Sequence, residues 1–322
     1  MSTWSKTGKN RLELYRRYLE KEKIYCPGNN RQINEEGYFT EVGGYVLGPI
    51  LNAYVVWVLQ EAIKSGKKRL YFLARDGYFM YQAAQIYVKR LHLDLDCRYV
   101  SCSRYSLRIP MFHLNEEEAL EYICRDSIGV NLERILNRAG LNQKEQREVL
   151  EELGMSGKEK ESIPYVRLET VKENLSHSAG FMGAMRRHSV EALPGLRGYL
   201  AQKGFLDGVE DAIVDSGWVG SMQKTLNQVL ESMGREKAVE GYYWGLYELP
   251  PDVVRENYHC YYFSPEGQLP EKVNFNNNLF ETIFSAPHGM TLGYEKTEGG
   301  YIPVYSPLTP ERKDKMEQLE PC

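Results

Sequence analysis

Apolar positions change their spacing along the chain, and each change marks an element. From Tyr45 to Lys64 they recur at helical intervals, with Gly48-Pro49 at the first turn and "SGKK" after the last. This predicts a helix whose early proline lacks only a donor that the first turn leaves unused. "RLYFLA" (69–74) is a short unbroken apolar run and predicts a buried strand. "RDG" follows it, then an amphipathic helical pattern in "YFMYQAAQIYVKRL" (78–91) and a second strand in "CRYVSCS" (97–103). Strand, turn, helix, strand is the pattern of a parallel sheet with crossover helices.

Between 114 and 200 the strand signals thin out, and Glu, Lys, Arg and Leu recur at helical spacing. This stretch predicts a helical insertion or cap. The alternation resumes with "EDAIVDSGWVGSMQKTLNQVLESMG" (210–234) and a further strand, "VEGYYWGLY" (239–247). Residues 273–296 are less regular and dense in Asn, Gly and aromatics. The expected fold class is α/β with a mainly parallel sheet. Its expected divisions are an N-terminal helical extension (1–40), an α/β domain (41–306) carrying the insertion, and a polar tail (307–322).

Composition narrows the class of protein. Apolar residues make up 42% and charged residues 26% of 322 positions, ordinary values for a globular chain that buries a core. A net charge of -4 argues against a nucleic-acid partner, because such proteins carry a basic footprint. "MSTWSKTGKNRLELYRRYLEKEK" lacks the apolar centre of a secretory signal. The most apolar stretch, Tyr45 to Leu59, is shorter than the roughly 20 residues a membrane span needs. The expectation is a cytoplasmic protein without a transmembrane segment, at most at the inner face of the membrane. Six cysteines, at 26, 97, 102, 124, 260 and 322, form no CxxC pair and read as reduced thiols. The 24 tyrosines suit sugar-binding or interface surfaces, since each joins an apolar face to a polar tip.

Four stretches hold candidate chemistry. In "AIVDSGWVGSMQKTL" (212–226), Asp215 ends a strand, Gly217 and Gly220 let backbone N–H groups turn inward, and Ser221 opens a helix. A helix N-terminus behind a glycine turn favours an anion; a plain N-capped turn has the same residues. In "LARDGYFM" (73–80), Arg75, Asp76 and Gly77 form a second strand-to-helix turn, where an arginine can take an anionic oxygen pair. "SCSRYSLRIP" (101–110) sets Arg104 and Arg108 four residues apart, on one face if helical. "FETIFSAPHGMTLGY" (280–294) places Glu281, His288 and Thr291 among apolar residues, so that Glu281 is either a general base or the partner of a buried arginine.

Taken together, "YFLARDGYFM", "SCSRYSLRIP", "IVDSGWVGSMQ" and "FETIFSAPHGMTLGY" resemble a bacterial family of surface-polysaccharide gene clusters. The resemblance spans roughly residues 40–296. It is to the region that often follows a HAD-type phosphatase domain, known under the name predicted HAD-superfamily hydrolase. That region is similar to type I phosphoribosyltransferases, which implies their sheet topology and transfer of a 5-phosphoribosyl group from phosphoribosyl pyrophosphate to a glycan or lipid-linked glycan acceptor. Pyrophosphate would leave, and displacement would invert to a β-ribofuranoside.

By the same resemblance, Gly217, Trp218, Val219, Gly220 and Ser221 wrap the 5-phosphate, and Asp215 accepts from a ribose hydroxyl. Arg75, Asp76 and Gly77 match the pyrophosphate loop, and Arg104 and Arg108 neutralise the leaving group. Mg²⁺ is the expected cofactor, with Asp215 and Asp76 as its carboxylates. Glu281 is the candidate base with Asp76 its rival, and His288 the candidate acceptor contact. The chain departs from the family in two ways. It has no DxDxT-like nucleophile near its N-terminus, so a separate HAD-type phosphatase would have to remove the 5-phosphate. Ser216 stands where the signature has a second acidic residue. The alternative functions are a HAD-type phosphatase and a non-catalytic module that docks a partner through residues 114–200.

Overall fold

The computed structural model describes residues 43–310 and 313, and it divides into two units, Met1–Leu47 with Gln318–Cys322 and Gly48–Glu317. The predicted extension (1–40) and most of the predicted tail lie outside the described residues. Within the first unit the described part is a single π-helical turn, Gly43–Leu47.

The second unit is organised by five strands: β1 (Arg69–Leu73), β2 (Asp96–Val100), β3 (Asp211–Asp215), β4 (Glu240–Gly245) and β5 (Tyr258–Phe263). All neighbours pair in parallel, in the order β2-β1-β3-β4-β5. The chain is thus α/β with a parallel sheet, as its alternating pattern predicts. Every residue of β1 and β3 is buried, which explains why both read as unbroken apolar runs: crossover helices cover both faces.

One face meets α1 (Gly48–Lys64) and α2 (Gly77–Leu91), through buried Tyr54, Val55 and Val58 and through Met80 and Ala84. The other meets α9 (Ser221–Ser232) and the second half of α8 (Ala179–Gln202). There Tyr71, Leu73 and Ile213 share a core with Leu196, Tyr199, Leu200, Leu226 and Val229. Helices on both faces of an order that reverses at its first strand make a doubly wound sheet, with its switch point between β1 and β3.

The short α3 (Arg104–Arg108) precedes the predicted helical insertion (114–200), which is present as α4 (Glu116–Ile123), α5 (Leu132–Arg138), α6 (Gln143–Glu152), α7 (Leu168–His177) and most of α8. They surround their own core, which includes Ile109, Phe112, Ile135, Leu136, Leu150 and Leu175 and which the first half of α8 completes with Phe181 and Met185. α8 therefore belongs to both cores and joins them.

Several elements fall where the sequence pattern predicts none: β5, α10 (Leu269–Asn274), α11 (Asn277–Phe284) and the antiparallel hairpin β6 (Thr291–Thr297) and β7 (Gly300–Tyr305). The hairpin packs on α8, whose Gly198 leaves room for Tyr301: a Cβ there would lie 2.0 Å from the ring. The helical stretch around α1 also runs further than its apolar centre suggests. Gly43–Lys64 spans 22 residues and, by length and composition, is long and apolar enough to cross a membrane. Tyr54, Val55, Val58, Leu59 and Ala62 nonetheless turn inward to the protein.

Candidate active site at the switch point

The strand order brings two of the four candidate stretches side by side. β1 and β3 are neighbours in register, so the turns after them open into one crevice at the carboxyl ends of the strands, where such sheets bind ligands. Contact between the turns is direct: Ser216 Oγ donates to Asp76 Oδ2 at 2.5 Å, across 140 residues of sequence. Ser216 therefore serves as the donor that holds the carboxylate of the neighbouring turn. The peptides Ala74-Arg75 and Gly217-Trp218 are both cis.

The β3 turn is shaped by backbone. Gly217 has φ +139°, and a Cβ on it would lie 2.1 Å from the Gly245 carbonyl oxygen, so no other residue fits that close approach without a shift. Gly245 N–H donates to Ser216 O at 3.2 Å and Tyr247 N–H to Trp218 O at 2.8 Å, fastening the turn to the end of β4. Gly220 then starts α9 at φ +69° with no side-chain cap. The first amides of α9, beginning at Ser221, thus lack a capping oxygen, which leaves the positive end of the helix for an anion. Val219 is exposed at the rim.

The β1 turn presents charge. Arg75 and Asp76 are half-buried, and buried Gly77 opens α2 against Phe72. Arg75 O accepts from Ala286 N–H at 3.0 Å, which ties this turn to the segment after α11. α11 in turn carries Glu281, whose Oε1 accepts from Trp218 Nε1 at 2.6 Å. The fourth candidate stretch thereby borders the crevice, and Trp218 leans into an aromatic cluster with Phe263, Phe275 and Phe280.

The remaining candidates sit in different surroundings. Asp215 is only 7% exposed, its Oδ1 accepts from Ser216 N–H at 2.9 Å, and its carbonyl oxygen accepts from Tyr54 Oη at 3.0 Å. Burial, and then the charge of Asp76, push its carboxyl up to about 8, with Arg104 opposing and Glu281 adding to the rise. Asp215 thus lies buried beneath the β3 turn and is bonded to its backbone.

Arg104 and Arg108 also divide their duties. Both lie on α3, which Ser103 caps through a capping box, and the exposed Arg104 reaches the field of Asp215. The Arg108 guanidinium instead sits 4.0 Å above the Tyr122 ring, facing the helical lobe. Burial, with Arg125 and Arg104 nearby, lowers its pKa.

His288, finally, is committed to the protein. A carbonyl can only accept, so Nδ1–H donates to Gly289 O at 2.8 Å and Nε2 accepts from Tyr99 Oη at 2.8 Å. Its ring stacks on Tyr305 at 4.1 Å, so both ring nitrogens and the ring itself are engaged by the protein. Nothing in the sequence spacing singles out Tyr99, Tyr305 or Tyr54.

Among the described residues, no three His, Cys, Asp or Glu side chains gather to hold a metal ion. Comparison with protein-family models finds no match, and no curated protein is significantly similar to the chain.

Proposed function

We propose that the protein transfers a 5-phosphoribosyl group from phosphoribosyl pyrophosphate to a hydroxyl of a glycan or lipid-linked glycan, in surface-polysaccharide assembly. The observation that carries this reading is the pairing of an uncapped helix N-terminus with a hydrogen-bonded carboxylate in one crevice: α9 behind Gly217 and Gly220, and Asp76 held by Ser216. Such a crevice suits a ligand with a phosphate at one end and a reacting centre a few ångströms away.

The 5-phosphate would sit on the amides from Gly217 to Ser221. Arg75 and Arg104 would meet the pyrophosphate as it departs, since fixed cations stabilise charge that develops in the transition state. The acceptor oxygen forms its bond to C1 as the C1–O bond to pyrophosphate breaks, and its proton passes to a carboxylate. Glu281, oriented by Trp218, is the favoured base and Asp76 its rival. Attack opposite the leaving group inverts C1 to the β-configuration. Asp76 also fits as a single protein carboxylate on Mg²⁺, which is commonly held by one or two carboxylates together with substrate phosphates and water; when bound, the ion would neutralise the pyrophosphate.

Incubation with phosphoribosyl pyrophosphate, Mg²⁺ and a panel of glycan acceptors should release pyrophosphate, and calorimetry should detect donor binding without acceptor. Absence of both would overturn the proposal. Phosphate release from simple phosphomonoesters would favour a phosphatase instead.

A further inference from the structure

β2 is an edge strand, and a cavity of about 310 Å³ runs along it between the sheet and β7. Its volume is at the small end of the range for small-molecule sites, about 300–1,000 Å³. Tyr81, Tyr99 and Tyr301 line it, with Arg98 and Lys203 among its polar residues. Each tyrosine is held by a hydrogen bond, and for Tyr301 the partner is Gln202, itself a lining residue. Tyr99 Oη is held by His288, Tyr81 Oη accepts from Gln85 Nε2 at 2.7 Å, and Gln202 bonds both backbone groups of Tyr301. Three tyrosine side chains beside two cations suit a sugar unit, whose C–H faces pack on aromatic rings and whose hydroxyls meet polar groups.

The two cations differ. Arg98 is committed, with Nη2 paired to Asp96 at 2.7 Å and Nη1 donating to Lys203 O at 2.6 Å. Lys203 is half-buried with its Nζ 5.5 Å from the centre of the Tyr199 ring, and among the described residues Nζ has no carboxylate partner and no hydrogen bond. Burial, and then the charge of Arg98, lower its pKa, so an anion delivered into the cavity would relieve an unfavourable charge. At its other end the cavity reaches Tyr99, whose partner His288 follows Ala286, the residue bonded to the Arg75 carbonyl in the β1 turn. Tyr99 of the cavity is thus linked to the β1 turn through the segment that carries His288 and Ala286.

We propose that this cavity binds an anionic monosaccharide unit, its carboxylate or phosphate on Lys203 and its ring against Tyr81, Tyr99 and Tyr301, and that it is the acceptor subsite of the transfer. The second half of this statement rests on the function proposed above; the binding itself does not.

Glucuronate, glucose 1-phosphate and glucose serve as probes, titrated into the whole protein and followed by ligand-observed NMR. Wild type should bind at least one of the two anions at least tenfold more tightly than glucose, and which one binds identifies a carboxylate or a phosphate as the natural charge. Lys203→Gln should weaken that anion about tenfold and leave glucose within twofold, while Lys203→Arg retains most of the anion affinity. Equal binding of the anions and glucose, an unchanged Lys203→Gln, or no binding at all would overturn the cavity as an anionic-sugar site. Calorimetry with phosphoribosyl pyrophosphate separates the two proposals. Sugar binding without donor binding sinks the transfer and leaves the cavity standing; donor binding without sugar binding sinks the cavity alone.

Discussion

At the amino ends of the strands, opposite charges are matched one against another. Arg69, Asp96, Asp211 and Glu240 each begin a strand. Arg69 bonds Asp96 and Asp207, both at 2.8 Å, Arg235 takes Asp211 bidentately at 2.6 and 2.9 Å, and Lys67 pairs with Glu240. At the carboxyl ends of the same strands, like charges are gathered instead: Asp76 and Glu281 both raise the pKa of buried Asp215. The amino end satisfies its charges and so contributes to a defined fold. The carboxyl end holds carboxylates in an arrangement that folding alone would not favour, and displaced pKa values of that kind gather at functional sites.

The contrast can be broken at either end. The largest expected effect is on stability: Arg235→Ala leaves the buried Asp211 carboxylate unpaired and should cost about 3–5 kcal/mol in urea unfolding, with donor affinity unchanged. Asp76→Asn should do the reverse, lowering pyrophosphate release about 100-fold, equivalent to about 2.7 kcal/mol of barrier, while the unfolding midpoint barely moves. A loss of stability without loss of activity would remove Asp76 from the site.

Asp215 sharpens the comparison through pH. An unfolded aspartate titrates near 3.9, as a general reference value, and the folded one near 8. Between these values the folded protein holds a proton that the unfolded chain has released. Stability therefore falls as pH rises through this window, by up to about 1.4 kcal/mol per pH unit, and the fall ends above the folded pKa. Asp215→Asn has no proton to lose, so unfolding measured at pH 5, 6.5 and 8 should show the variant gaining on wild type as pH rises. The smallest effect belongs to Arg104→Ala. This exposed cation should raise the donor KM about three- to tenfold, or roughly 0.7–1.4 kcal/mol, and more salt should shrink the difference.

Much of the sheet was legible in the chain. β1, β3 and β4 are buried apolar runs bounded by turn residues, and α1, α2 and α9 repeat their apolar positions at helical spacing. β5, with exposed Tyr261 and Tyr262, shows no such run. The hairpin owes its place to packing on α8, which local pattern cannot display. Within the site, Asp76, Asp215 and Glu281 stood out as residue types at telling positions. Their partners did not, because the contacts from Ser216 to Asp76, Trp218 to Glu281 and Tyr54 to Asp215 cross 140, 63 and 161 residues.

The sequence by itself determined the alternation of strand and helix, the helical insertion, and the two glycine-bearing turns, because these depend on propensity and periodicity over a few residues. Tertiary structure decided that β3 lies against β1, so that the two turns share one crevice and Ser216 reaches Asp76. It also decided that Asp215 is buried while Asp76 is only half-buried, and that His288 bonds Tyr99. Strand order, burial and the field of neighbouring charges are properties of residues distant in the chain, and they bury one aspartate beneath its turn and leave the other half-buried beside it.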